Sequence, residues 1–408
     1  MTSFSRNHPY WTSFALALGA AIALGFARFS YGLLLPVMKE DLGWSYLVAG
    51  TMNTANALGY LIGALTSPVL MRRLAIGRFF IFSCLITALF LLLSGLTDRA
   101  FDMFSYRVLA GVASAWVFVA GGVLASQMAH LHSAHSGLML GIFYGGPGLG
   151  IAWCSALLPE VNRWAQSQGF AHPWQWSWFA LGLMCILMTF LLARAVLSIP
   201  APAPREEAHL GTSLHEYLWI LAGYFMFGVG YIGYMTFIVA LLKQMGLEEG
   251  VLRIFYAMLG VAVMLSPRIW AQLLQRYRGG QPLALLNTLL GIACLIPCWL
   301  AMTHHEPGVV MLSAVFFSGL LFGSVFLSAV ASTTAFVKHN MPSSDWVGGI
   351  TAFTSIFAVG QIFGPTVIGW ISDGVGGLAQ GLLISGLSLM VGGALAFLQK
   401  PLSKTDSM

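Results

Sequence analysis

Charge is what this sequence has least of. Only 8% of its 408 residues are Asp, Glu, Lys or Arg, while 58% are hydrophobic; a soluble globular domain carries about 25% charged residues. A water-soluble fold and a disordered chain both need more charge than this, so lipid is the expected solvent. Cysteine is scarce too: the five, Cys84, Cys154, Cys185, Cys294 and Cys298, all lie inside apolar runs. An odd number so placed excludes a disulfide framework, and no spacing suits zinc. No Gly-x-x-x-x-Gly-Lys-Ser/Thr, Gly-x-Ser-x-Gly or His-Glu-x-x-His run occurs. The chain therefore lacks the signatures of an ATP motor, a serine hydrolase or a zinc protease, and neither an enzyme nor a cofactor is expected. The net charge of +5 comes without any Lys/Arg cluster interleaved with aromatics, which argues against a nucleic-acid partner.

What is abundant is apolar sequence of membrane-crossing length, about 20 residues per helix. Charges, prolines and polar clusters divide it into twelve spans, at about 12–37, 46–70, 78–97, 103–128, 137–158 and 174–197, then about 216–242, 252–274, 282–303, 309–337, 347–371 and 378–398. The first run is too long for a cleavable signal peptide. The most polar connector, 198–215, holds Pro200, Pro202, Pro204, Arg205, Glu206 and Glu207. It splits the chain into a bundle over 1–197 and a second over 216–408 with a short tail. The expected fold is all-α and polytopic, with two pseudo-symmetric six-helix bundles. A shift of 203 residues matches Gly25, Tyr31 and Gly43 with Gly228, Tyr234 and Gly246, and sets Tyr231 where the first half has Arg28.

Of the 19 basic residues, Arg28 and Arg107 fall inside spans, and Lys39, Arg99, Arg163, Lys243 and Arg253 sit near one set of span ends. The other twelve sit near the opposite set or in the connector and tails. Twelve against five predicts both termini in the cytoplasm. Arg28 lies about 5 Å from the middle of its span at about 1.5 Å per residue, too deep for easy snorkelling. Arg107 is nearer a span end. All fourteen acidic residues lie in loops, tails or span ends, so no carboxylate is placed to neutralise either arginine. An anionic ligand held by the guanidinium fork would supply the missing charge; helix carbonyls, Asn53, Asn56 and water are the structural alternative. Helical spacing groups Arg28 with Tyr31, Asn53 with Asn56 and Tyr60, and Tyr224 with Tyr231 and Tyr234. Arg28, Arg107, Tyr31, Tyr231, Tyr234, Asn53 and Asn56 are the expected substrate ligands. Thr354 and Gln361 are weaker polar candidates.

Gly59 and Gly63, Gly141 and Gly145, Gly319 and Gly323, and Gly360 and Gly364 have the spacing that brings membrane helices close. Gly146-Pro147-Gly148-Leu149-Gly150 predicts a bend in the fifth span. Gly228 to Gly233 fits Gly-x-Gly-x-x-Gly, but inside a lipid-length helix this is no dinucleotide site. His130, His132 and His135 read as solvated connector residues, so no metal is expected.

Together these residues resemble the major facilitator superfamily over about 12–398. Arg107-Val-Leu-Ala-Gly111-Val-Ala-Ser-Ala115 is similar to its Arg-x-x-Gln-Gly-x-Gly-Ala-Ala pattern, with Ala110 replacing Gln. Gly63, Arg72, Arg73, Gly77 and Arg78 resemble its cytoplasmic signature, with Ser67 about where Asp is usual. Gly146-Pro147-x-x-Gly150 is similar to the core of a span-five pattern often seen in antiporters, and Gly-Phe-Ala-Arg-Phe-x-Tyr-Gly in the first span to a poorly characterised bacterial branch. The resemblance implies a secondary transporter of the bacterial inner membrane, working by alternating access, with spans one, four, seven and ten lining the site. The expected partners are lipid, a small organic solute, anionic by the charge argument, and a coupling ion or counter-substrate; a monomer is expected. Arg72, Arg73, Arg78, Gly111, Gly146, Pro147 and Gly150 are the expected gating residues. A broad-specificity efflux pump for neutral or amphipathic compounds is the first alternative, and a non-transporting membrane sensor the second.

Overall fold

The computed structural model describes residues 3–132, 135–200, 213–303, 308–342 and 345–402. Most of the connector, residues 201–212, lies outside them, as do Glu306, Lys404 and Asp406. Among the described residues twelve helices are long and apolar enough to cross a membrane. In the first half they are α1 (Pro9–Leu42), α2 (Tyr46–Arg73), α3 (Ile76–Ser94), α4 (Ala100–Leu131), α5 (Ser136–Ser167) and α6 (Pro173–Leu197). The second half has α7 (Leu214–Gln244), α8 (Glu249–Arg276), α9 (Gln281–Met302), α10 (Val309–Asn340), α11 (Gly348–Ser372) and α12 (Gly377–Phe397). The largest departure from the expected spans is α5, which runs on through Pro159 to Ser167. A proline removes one backbone donor, and the segment beyond it carries exposed Glu160 and Arg163, a polar setting in which an unpaired carbonyl is not costly.

The packing repeats with a period of six helices. In the first half α1 packs on α5, α2 on α4 and α3 on α4 and α6; in the second α7 packs on α11, α8 on α10 and α9 on α10 and α12. Glycine is used in the same way in both. A Cβ at Gly25 would lie 2.5 Å from Gly150 Cα where α1 crosses α5, and one at Gly228 would lie 2.7 Å from the Phe357 carbonyl oxygen where α7 crosses α11. Gly43 (φ 62°) and Gly246 (φ 83°) follow α1 and α7 in the left-handed conformation that glycine adopts without strain. Two of the positions matched in the sequence thus occupy equivalent places. Between the bundles, α5 packs against α8, α2 against α11 and α1 against α7.

Gly59 and Gly63 face the backbone of α4 at Val108 and Val112, and Gly360 and Gly364 face α7. Gly141 meets nothing within 4 Å, so that pair does not form a tight crossing. A Cβ on Gly59 would lie 1.9 Å from the Val108 carbonyl oxygen. Gly59→Ala must push α2 and α4 apart, and the expected cost is about 2 kcal/mol. Thermal unfolding of the detergent-solubilised protein checks this, with Gly141→Ala as the control that leaves the melting temperature unchanged.

α1 is not a regular helix. Residues Ala21–Phe29 are wound as a π-helix, and the Ser30 N–H returns to the Gly25 carbonyl, five residues back, at 2.9 Å. Such wide turns rotate the side chains that follow and recur at functional sites. Arg28 is the charged residue of this one.

Candidate functional site

Both described ends of the chain, the start of α1 and the end of α12, lie on one face of the bundle, called here the terminal face. Opposite it, polar contacts join the halves. The Asp373 carboxylate accepts from the Tyr46 and Leu47 N–H groups (2.7 and 2.9 Å), Lys243 pairs with Glu40 (2.7 Å), and Arg253 pairs with Glu160. Gln244 donates to the Tyr46 hydroxyl at 2.6 Å. Asp41, also on this face, accepts from His172 and Trp174 within its own bundle. Deeper in, Asn53 donates to Thr236 (2.6 Å), Thr54 to the Ile362 carbonyl (2.8 Å) and Tyr256 to the Phe29 carbonyl (2.7 Å). The last contact before the terminal half is a hydrogen bond from Arg28 Nη2 to Gln361 Oε1. Beyond it, among the described residues, no hydrogen bond or ion pair crosses between the bundles.

There the bundles separate around a cavity of about 350 Å³. Arg28 and Tyr231 line it, together with Tyr60, Phe118, Tyr144, Tyr224, Phe326 and Phe357. Its wall on the second bundle is a run of near-parallel rings: Tyr224 on Phe357 (5.0 Å), Tyr231 on Phe357 (5.4 Å) and Tyr231 on Phe326 (5.0 Å). The Tyr60 ring stands 5.4 Å from the Arg28 guanidinium carbon, a cation–π contact. Among the described residues Arg28 is the only cationic side chain in the lining, and no acidic residue lines it. No described carboxylate forms an ion pair with Arg28 either. Among the described residues no group of three or more His, Cys, Asp or Glu is placed to hold a metal.

The other expected ligands lie outside this lining. Arg107 is fully buried between the rings of Tyr31 (4.9 Å) and Trp178 (5.5 Å). Its Nη1 donates to the Ala27 carbonyl at 2.7 Å and its Nε to the Met52 carbonyl at 3.4 Å. Asn56 donates to the same Ala27 carbonyl (3.4 Å) and to that of Arg107 (3.3 Å), and Tyr31 to Ala49 (2.8 Å). Arg107 and Asn56 thus hold the Ala27 carbonyl of the π-wound segment, and Tyr31 ties the turn after it to α2. Tyr234 bonds Ser318 at 2.8 Å and stacks on Phe322, while Asn53 belongs to the contacts between the bundles. Arg107→Ala would leave a large void and remove the guanidinium bonds to the Ala27 and Met52 carbonyls, with an expected destabilisation of about 3 kcal/mol. A fall in melting temperature well beyond that of Arg28→Ala checks this.

Arg72, Arg73 and Arg78 are exposed on the terminal face, without an ion pair to a described residue. Gly111 packs within the first bundle, its Cβ position 2.2 Å from the Asn56 carbonyl oxygen. Gly146 and Gly150 lie against Ala17 and Ala21 of α1, with Pro147 buried between them. Tyr144, Phe326 and Phe357 line the cavity and Gln361 contacts Arg28, none of them among the substrate ligands that the sequence predicts. The available signal was Tyr224, Phe227 and Tyr231 at helical spacing, a ring-bearing face that needs a facing surface.

The same fold occurs in solved transporters. Nucleoside transporter NupG is 13% identical, with a TM-score of 0.67 over 95% of this chain and 100% of its own. A bacterial homolog of the human lysosomal transporter Spinster, inward-facing and occupied, is 14% identical with a TM-score of 0.70 over 96% of both chains. FucP in the outward conformation is 15% identical, with a TM-score of 0.61 over 94% of this chain and 97% of its own. At these identities the likeness concerns the fold alone. No curated protein matches the chain significantly in sequence. The model of the family described as the uncharacterised MFS-type transporter YbfB matches residues 20–397, and the chain belongs to that family of the major facilitator superfamily.

Proposed function

We propose that this secondary transporter moves a small organic anion across the bacterial inner membrane, with Arg28 as the group that holds the negative charge. One observation carries the reading: a guanidinium 3% exposed, lining a cavity that has no acidic residue among its described lining, whose Nε has no hydrogen-bond partner. A buried cation without a counterion is costly, and a ligand that brings the missing charge gains what the empty site lacks. With both termini in the cytoplasm, as twelve basic residues against five imply, the terminal face is the inner one and the cavity faces inward. Alternating access then requires the opposite face to unlatch while Arg72, Arg73 and Arg78 approach the other bundle. Residues 1–197 and 216–408 would rock as two units joined by the connector over 198–215.

Reconstitution into liposomes tests this. Labelled organic anions are expected to enter vesicles preloaded with unlabelled anion, without an imposed pH gradient, because no carboxylate lines the cavity to carry a proton. Uptake of organic cations in place of anions would overturn the reading. The aromatic lining favours the rival, an efflux pump for amphipathic compounds. A deletion strain hypersensitive to many unrelated neutral drugs would support that rival.

A further inference from the structure

The Arg28 and Gln361 side chains leave two hydrogen-bond donors without acceptors. Arg28 Nε on α1 and Gln361 Nε2 on α11 are both buried and unpaired, while the one bond between the residues uses Arg28 Nη2 and Gln361 Oε1. Gln361 is 1% exposed and meets the cavity through its contact with Arg28, not as a lining residue itself. Each orphan donor has lost its hydration without gaining a partner, which is unfavourable. The two belong to opposite bundles and to side chains in direct contact, so a single acceptor group with two oxygens is what the pair lacks.

We propose that this acceptor is the carboxylate of an aromatic monocarboxylic acid, which bridges Arg28 and Gln361 while its ring lies among the aromatic side chains of the cavity. The proposal rests on the anion reading given above and narrows it. The lining sets three limits. Arg28 is its only cation, which fits one negative charge and leaves a dicarboxylate with an unpaired second group. Its eight aromatic residues, Phe29, Tyr60, Phe118, Tyr144, Tyr224, Tyr231, Phe326 and Phe357, favour a flat unsaturated body over a sugar or a short aliphatic chain. Its volume of about 350 Å³ compares with on the order of 150 Å³ for a cavity that holds benzene, so one or two rings fit. Because the two donors come from different bundles, the bound carboxylate replaces a direct bond between the bundles by a bridge through substrate. Occupancy is thereby linked to the contact that must break or re-form as the bundles rock.

Calorimetric titration of the full-length protein in lipid nanodiscs tests the proposal, with benzoate, 1-naphthoate, indole-3-carboxylate, cyclohexanecarboxylate, acetate, phthalate and benzamide as probes. At least one of the three aromatic monocarboxylates is expected to bind at least tenfold more tightly than cyclohexanecarboxylate, acetate, phthalate or benzamide. Gln361→Ala is expected to weaken that binding about tenfold, a loss of about 1.4 kcal/mol. Gln361→Glu fills the acceptor position from within; it is expected to raise the melting temperature and to abolish binding, which also separates a binding effect from misfolding. Failure of all three aromatic acids, equal binding of cyclohexanecarboxylate or phthalate, or unchanged affinity in Gln361→Ala would each overturn the proposal. If acetate and cyclohexanecarboxylate bind in an Arg28-dependent way and aromatic acids have no advantage, the anion reading stands and only its narrowing fails. Binding of organic cations in place of every acid removes both.

Discussion

Arg28→Gln is expected to lower anion transport and binding at least about a hundredfold while leaving the fold intact or slightly more stable. The two effects have one cause. In the substrate-free state the guanidinium is buried with no counterion, held by Gln361 and one aromatic face, so replacing it by a neutral amide removes a desolvation cost. In the occupied state the same charge pairs with the ligand, and losing a buried charged partner costs about 3 kcal/mol or more, a factor above a hundred. Arg28→Lys keeps the charge without the planar fork and is expected to fall between. Binding titrations and thermal unfolding of the same preparations check both halves. A variant that loses affinity and melts much earlier would reassign Arg28 to packing, the part that Arg107 plays.

The separation of these two arginines marks how far the sequence could be read. Apolar run length and the placement of thirty-one charges at span ends lead directly to twelve helices, and the 203-residue shift to a repeated half. In sequence Arg28 and Arg107 are both arginines within a span, differing only in depth, with every acid at a span end or beyond. What distinguishes them is the face each helix turns to its neighbours. Arg107 points at Trp178, 71 residues on, and at the carbonyls of α1 and α2, contacts no local pattern encodes. The π-wound segment over Ala21–Phe29 is equally silent, because an apolar stretch such as Ala-Ile-Ala-Leu-Gly suits either winding. Gln361 reads as one more polar residue in an apolar span until α11 is seen to bring it 333 residues back in the chain, to Arg28.

The seam between α2 and α11 is where the transport cycle is most exposed to single changes. Two features hold it shut at the face opposite the termini. Asp373, just after α11, takes the first free N–H groups of α2, Tyr46 and Leu47, so that a carboxylate from one bundle caps a helix of the other. Nearby, the Cβ position of Gly50 lies 2.1 Å from the Pro365 carbonyl oxygen, leaving no room for a side chain while the seam is closed. Both contacts must be lost when this face opens, so weakening them destabilises the sealed state alone. Asp373→Ala is expected to shift the balance by about 1 kcal/mol, since the site is exposed, or about fivefold in population. Gly50→Val adds a wedge worth about 2–3 kcal/mol, about 30- to 160-fold, and is expected to bring a balance of about 30 to 1 to between about 1 to 1 and 1 to 5. Spin labels on Gln166 and Glu249, which flank the groove between α5 and α8 on this face, report the opening as a longer distance population. Lys243→Ala is the internal comparison: its pair with Glu40 is exposed, at 46% and 73%, and exposed pairs contribute little. Should Lys243→Ala open the seam more than Gly50→Val, surface charge would hold this face, and the close backbone approach would be incidental to the cycle.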